Sequence, residues 1–250
     1  MVSPDILGVS SGASIGACIA ILFSLGSLEI QGFAFATGCL AIALVLAISS
    51  AASRNTGGSL LILILAGIVI SSLCSAITSI IKYVAPPDTA LPEITFWLMG
   101  SFAKTGAWNN VLVLFICFLI GVIPLLALRW KINVMAFGEE EAKALGVNTK
   151  RVRLTIILCA TLLTATTVAL CGIIGWVGLV IPHIGRFLVG ANYQVLLPCS
   201  ILAGATFMVI VDTLARTLSS GEIPISIITA IIGAPVFIYL IFKGKRSWSE

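Results

Sequence analysis

Long apolar blocks separated by short polar interruptions run the length of this chain, and their size points to one kind of element. A hydrocarbon layer about 30 Å thick is crossed by roughly 20 helical residues. Residues 33–52, 60–81, 111–128, 154–174, 195–214 and 225–242 each approach that length with few charges or none. Residues 1–27 enter another apolar helix almost at once, without the basic lead and cleavage site of a removable leader. No block shows the two-residue alternation of a membrane barrel strand. The pattern therefore predicts an all-α, polytopic membrane helical bundle.

The interruptions carry the rest of the information. Residues 53–59, SRNTGGS, read as a tight polar turn, and residues 86–110 hold Phe96, Trp97, Phe102 and Trp108, the amphipathic aromatics expected at a membrane interface. Residues 175–190 are ambiguous: the stretch is short for a span and broken by Pro182, His183 and Arg186. The most charged interruption, residues 129–153, holds nine of the chain's 24 charged residues. Within it, residues 138–145 predict a short helix: Glu139, Glu140 and Glu141 sit where the positive end of the helix dipole favours them, Glu139 and Lys143 are spaced i,i+4, and Gly146 is placed to end it. Ala142 and Leu145, three apart, would give that helix a small apolar face. Asn148 or Thr149 can cap the helix that follows.

Composition agrees with a membrane protein and narrows its chemistry. The chain is 59% hydrophobic and 10% charged, with a mean hydropathy of +1.17, outside the range of ordinary soluble domains. The seven cysteines fall inside apolar blocks with no CxxC pair and read as small packing residues. One histidine excludes HExxH and multi-histidine metal sites, and no GxxxxGK[ST] phosphate loop occurs. No catalytic constellation, metal site, bound cofactor or nucleic-acid footprint is predicted, so a transport cycle driven by ATP would need a separate nucleotide-binding subunit. Three features keep two readings each. The Gly8, Gly12, Gly16 row could serve close packing within the chain or between chains. His183 could be a hydrogen-bonded structural residue or a proton relay, and Arg216 could pair with Asp212 one turn away or meet an acidic partner outside.

Basic residues set the orientation, because short loops rich in Lys and Arg stay in the cytoplasm. Both the 129–153 island and the C-terminal Lys243, Lys245 and Arg246 are rich, so an even number of crossings should separate them. Residues 175–190 then supply the fourth. The result is about eight spans with both ends inside, eleven basic residues facing the cytoplasm and Lys82, Lys104 and Arg216 facing out.

Five stretches in order, ILGVSSGASIG (6–16), WLMGSF (97–102), FGEEEAKALGV (137–147), GWVGLVIPHIGR (175–186) and EIPISIITAIIGAPVFIYLI (222–241), resemble the FecCD-type permeases of bacterial binding-protein-dependent ABC importers. Members of that family carry iron-siderophores, haem and vitamin B12. The resemblance covers essentially the whole chain and implies a single transmembrane permease domain, residues 1–250, in the bacterial cytoplasmic membrane. It implies a permease dimer, homo- or heterodimeric, with the solute path between the copies, a pair of cytoplasmic ABC ATPases beneath and a solute-binding protein docking outside. Residues 137–147 match the cytoplasmic coupling helix region, which makes Glu139, Glu140, Glu141, Ala142, Leu145 and Gly146 candidates for ATPase contact. Arg216 matches a position that meets the binding protein, and Asn55, Thr56, Gly57, Gly58, Ser59 and Leu60 match the region of the cytoplasmic gate. The blocks 60–81 and 225–242 match path-lining helices.

Two departures accompany the match. Trp176 stands where phenylalanine is more usual, and the usual asparagine-proline lead-in survives only as Ser3, Pro4 and Asp5. Family members usually have about ten spans, so the first two are expected to be missing, leaving the Gly8, Gly12, Gly16 face without a neighbour. Other classes of function consistent with the blocks are an ion-coupled secondary transporter, for which Asp212 is the only plausible ion site, and a non-functional permease fragment.

Overall fold

The computed structural model describes residues 7–53, 60–219 and 221–246. Those residues form α1 (Val9–Leu22), α2 (Ser27–Ser53), α3 (Leu60–Val84), α4 (Ala90–Leu98), α5 (Trp108–Ala127), α6 (Arg129–Met135), α7 (Glu139–Ala144), α8 (Thr149–Cys171), α9 (Val177–Val189), α10 (Tyr193–Thr217) and α11 (Ile225–Arg246), with one 3-10 turn and no strand among them. Five helices, α2, α3, α5, α8 and α10, are long and apolar enough to cross a membrane. Three further apolar stretches are shorter: the helices Val9–Leu22 and Val177–Val189, and Ile225–Leu240 within the 22-residue α11. At about 1.5 Å per residue, α1 and α9 rise only about 20 Å as straight rods. The expectation of eight crossings thus rests on five helices of sufficient apolar length and three whose apolar stretch is shorter.

By their contacts the residues divide into two compact units, 1–118 with 160–173, and 119–159 with 174–250. In the first unit α1 is the centre, packed on α2, α3 and α4. Its core gathers Ala13, Ala17, Cys18, Ala20 and Ile21 with Ile30, Ala34, Ile81, Ile94 and Val168. Small side chains on α1 let neighbouring backbones approach closely, the packing that holds helices together where solvent is as apolar as the side chains. A Cβ on Gly12 would stand 2.9 Å from the Thr37 carbonyl oxygen, and one on Gly16 would collide with the Thr37 hydroxyl and the Phe33 carbonyl. Two hydroxyls at this contact bond within their own helices: the buried Ser14 Oγ donates to the Ser10 carbonyl at 2.9 Å and the half-buried Thr37 Oγ1 to the Phe33 carbonyl at 2.8 Å.

The glycine row therefore differs from its sequence reading in two ways. Gly8 lies before the helix with φ 84, next to Ser71 and Ile70 of α3. The row has its neighbour: α2 covers Gly12 and Gly16, so the expected bare face is filled within the chain.

In the second unit α9, α10 and α11 pack on one another, and α6 rests on α10 and α7. Gly185 of α9 leaves room for Leu196 and Ser200 of α10, and Gly233 of α11 lies against Trp176 and Val180. One turn on, Phe237 meets His183 edge to face, ring centres 5.2 Å apart. Two of the most distinctive sequence blocks, GLVIPH and GAPVF, are thus the two sides of one helix contact. Prolines inside helices occur at Pro124 of α5, Pro182 of α9, Pro198 of α10 and Pro235 of α11.

Candidate functional site

The charged island is more ordered than a loop. Residues 129–135, read from the sequence as part of a polar connection, form α6, whose Val134 side chain is buried with Ala142, Val147 and Val152 against Ile132 and Met135. This small core seats α7, and backbone hydrogen bonds fix its C-terminal end. Gly138, with φ 133, stands at the start, and a Cβ there would collide with the Glu141 carboxylate folded back over it. At the other end the Val147 amide donates to the Ala142 carbonyl and the Gly146 amide to the Lys143 carbonyl, both at 2.9 Å. That pair is the Schellman hook, which needs a left-handed residue after the cap; Gly146 supplies it with φ 77. The hook's usual apolar contact is present too, since Ala142 and Val147 are both buried. Asn148 Oδ1 then accepts from the Arg151 amide at 3.1 Å, capping α8.

The candidate coupling residues separate into two roles. Ala142 is fully buried and holds α7 down, so it does not share an exposed face with Leu145, as the three-residue spacing suggested. Leu145 is 63% exposed and Phe137 80% exposed, with Glu140, Glu141 and Gly146 also on the surface. Glu139 makes an ion pair with Arg153 of α8. The segment thus presents apolar and acidic groups from a base that is itself tied down.

The other predicted site residues lie elsewhere. Arg216, near the end of α10, donates from Nε to both carboxylate oxygens of Asp212 at 3.0 Å, and its Nη1 stands 3.5 Å from Glu222 Oε1. The pair with Asp212 is formed, with Arg216 still half exposed. His183 Nδ1 lies 2.7 Å from the Leu179 carbonyl oxygen, so that nitrogen carries the proton and the ring is a hydrogen-bonded part of the α9 and α11 contact. The gate residues Asn55 to Ser59 lie outside the described residues; Leu60 begins α3. No group of three or more His, Cys, Asp or Glu residues placed to hold a metal occurs among the described residues.

One arrangement has no counterpart in the sequence reading. Asn133 of α6 and Asn192, the N-cap of α10, bond to each other across 59 positions, Nδ2 to Oδ1 at 2.7 Å. Asparagine before Tyr193 was a legible cap signal, but nothing local marks Asn133 as its partner.

Comparison with known proteins bears on the whole chain. The profile of the FecCD transport family matches residues 1–243. The molybdate import system permease protein MolB of Haemophilus influenzae is 47% identical over 98% of this chain and 72% of its own length. A probable iron chelatin transport system permease of Helicobacter pylori is 38% identical over 98% of this chain and 73% of its own, and the vitamin B12 permease BtuC of Vibrio cholerae 36% identical over 99% and 74%. Among solved structures, an inward-facing conformation of a metal-chelate type ABC transporter superposes with a TM-score of 0.90 at 46% identity, over 97% of this chain and 76% of that one.

Proposed function

The chain belongs to the FecCD transport family, and from that premise we propose that it is the membrane-spanning permease subunit of an importer that moves a metal-containing solute between two permease copies. Permease subunits of this family are multi-pass membrane proteins and not enzymes; ATP is hydrolysed by a separate partner. The observation that carries the mechanism is α7: a short helix hooked at its C-terminus, seated on α6, with Leu145 and Phe137 left exposed beside acidic side chains. A rigid, half-apolar projection of that kind suits a cleft in the ATPase. Nucleotide-driven closure of the ATPases would move it and, with it, the path-lining spans. Within α3, Ser72, Ser75 and Ser79 are exposed three and four residues apart, a narrow hydroxyl stripe on an apolar span that fits a neutral path wall. Arg216, held by Asp212 and Glu222, would present its remaining edge to the binding protein, while the gate would lie near 55–60.

The cargo is a metal species, and the relatives name two chemistries. An iron, haem or corrinoid chelate follows from the family resemblance; the 47% identity to a molybdate permease favours an oxyanion as a second reading. Uptake of labelled ferric chelate against labelled molybdate, with the cognate ATPase and binding protein in proteoliposomes, separates them. For the mechanism, Leu145→Glu should release the co-purifying ATPase and abolish uptake, whereas uptake that persists without any ATPase would favour an ion-coupled carrier. A reporter fused after Arg246 should be active only in the cytoplasm; activity outside would reverse the orientation.

A further inference from the structure

Asn133 and Asn192 join the segment that holds α7 to the start of α10. The roles of their amide atoms are fixed by backbone donors that cannot be reversed. The Tyr193 amide donates to Asn133 Oδ1 at 2.7 Å, so the other terminal atom of Asn133 must be Nδ2. The Gln194 amide donates to Asn192 Oδ1 at 3.0 Å, which identifies that oxygen as the acceptor of the Asn133 Nδ2 bond at 2.7 Å. The first N–H groups of a helix have no partner within it. Here α10 receives one partner from its own cap and one from α6.

The mechanical setting gives this clasp a use. On one side, α6 shares a small core with α7, so the two move together. On the other, α10 runs 25 residues, about 37 Å, from the clasp to the turn that carries Asp212 and Arg216. Displacement of α7 therefore reaches α6 directly and can pass into α10 through side-chain hydrogen bonds. We propose that Asn133 and Asn192 are positioning residues that transmit ATPase-driven movement of α6 and α7 to α10, a role that rests on the importer reading above. The donor and acceptor directions make the proposal asymmetric. Asn192→Asp keeps both acceptor duties and adds a negative charge at a helix N-terminus, where it is favoured. Asn133→Asp removes the only donor and sets a carboxylate against an acceptor oxygen.

The test uses the complete importer, with ATPase and binding protein, in proteoliposomes, and reads ATP hydrolysed per solute imported. Asn133→Asp should raise that ratio by about tenfold, the weight of one unmade hydrogen bond at a polar contact, with the ATPase still bound; Asn192→Asp should stay near the wild-type ratio. Should Asn133→Asp fail to assemble, Asn133→Ser, which shortens the side chain without adding charge, carries the same expectation. A clasp that only holds the fold would lower the yield of complex and leave the ratio unchanged in every variant, and that result overturns the proposal. A wild-type complex that retains no ATPase would overturn the importer reading instead.

Discussion

Helix α1 and helix α7 close in the same hook, yet they are held in place by opposite means. In α1 the Leu25 amide reaches the Ala20 carbonyl at 3.0 Å and the Ser24 amide the Ile21 carbonyl at 2.9 Å, the same pattern that ends α7. The left-handed position is Ser24 in α1, with φ 53, and Gly146 in α7, with φ 77. A serine there carries steric strain that a glycine lacks. Helix α1 tolerates it because its sides are clamped, with α2 packed backbone to backbone over Gly12 and Gly16. Helix α7 has six residues and one buried side chain, so its hooked end must do most of the holding. Sides dominate in an apolar surround, ends in a short helix with little core.

Substitutions can break that contrast, and thermal unfolding of the detergent-solubilised protein measures them. Gly16→Val forces a branched side chain into the Thr37 and Phe33 contact and should cost about 3 kcal/mol or more. Gly146→Ala meets no atom within 4 Å, so its loss, about 1 to 2 kcal/mol, would come from backbone strain alone. It should appear first as faster hydrogen exchange at the amides of positions 146 and 147. Ser24→Gly runs the other way and should gain up to about 1 kcal/mol; a loss there would mean the serine side chain has a duty of its own. Smallest of all, Glu139→Gln removes a surface ion pair to Arg153 and should change stability by about 0.5 kcal/mol.

Much of this was readable from residue order, and the misses share a cause. The bounds of α7 and its terminating glycine followed from dipole and hook chemistry, which are local. The longest spans followed from apolar length, although α5 begins at Trp108 and α8 at Thr149, each extending its helix beyond the apolar block. Helix α6 was hidden because Arg129, Lys131 and Asn133 masked the apolar side formed by Ile132, Val134 and Met135. The burial of Ala142, the cover over the glycine row and the Asn133 to Asn192 bond all depend on residues distant in the chain. Periodicity shows that a face exists without showing what lies on it.

The four prolines inside helices have a further consequence. Each lacks the amide that would bond the carbonyl four residues earlier, so the ladder is interrupted at Ile120, Gly178, Gln194 and Ile231. All four positions belong to the unit that also contains α7, whereas α1, α2, α3 and α8 have no such proline. Helices bend most readily at interruptions of this kind. On the importer reading proposed above, a push delivered at α7 would enter a framework of jointed struts, while α1, α2 and α3 have no such joint. Stiffness is distributed unevenly along the sequence, and the compliant share sits where force would arrive.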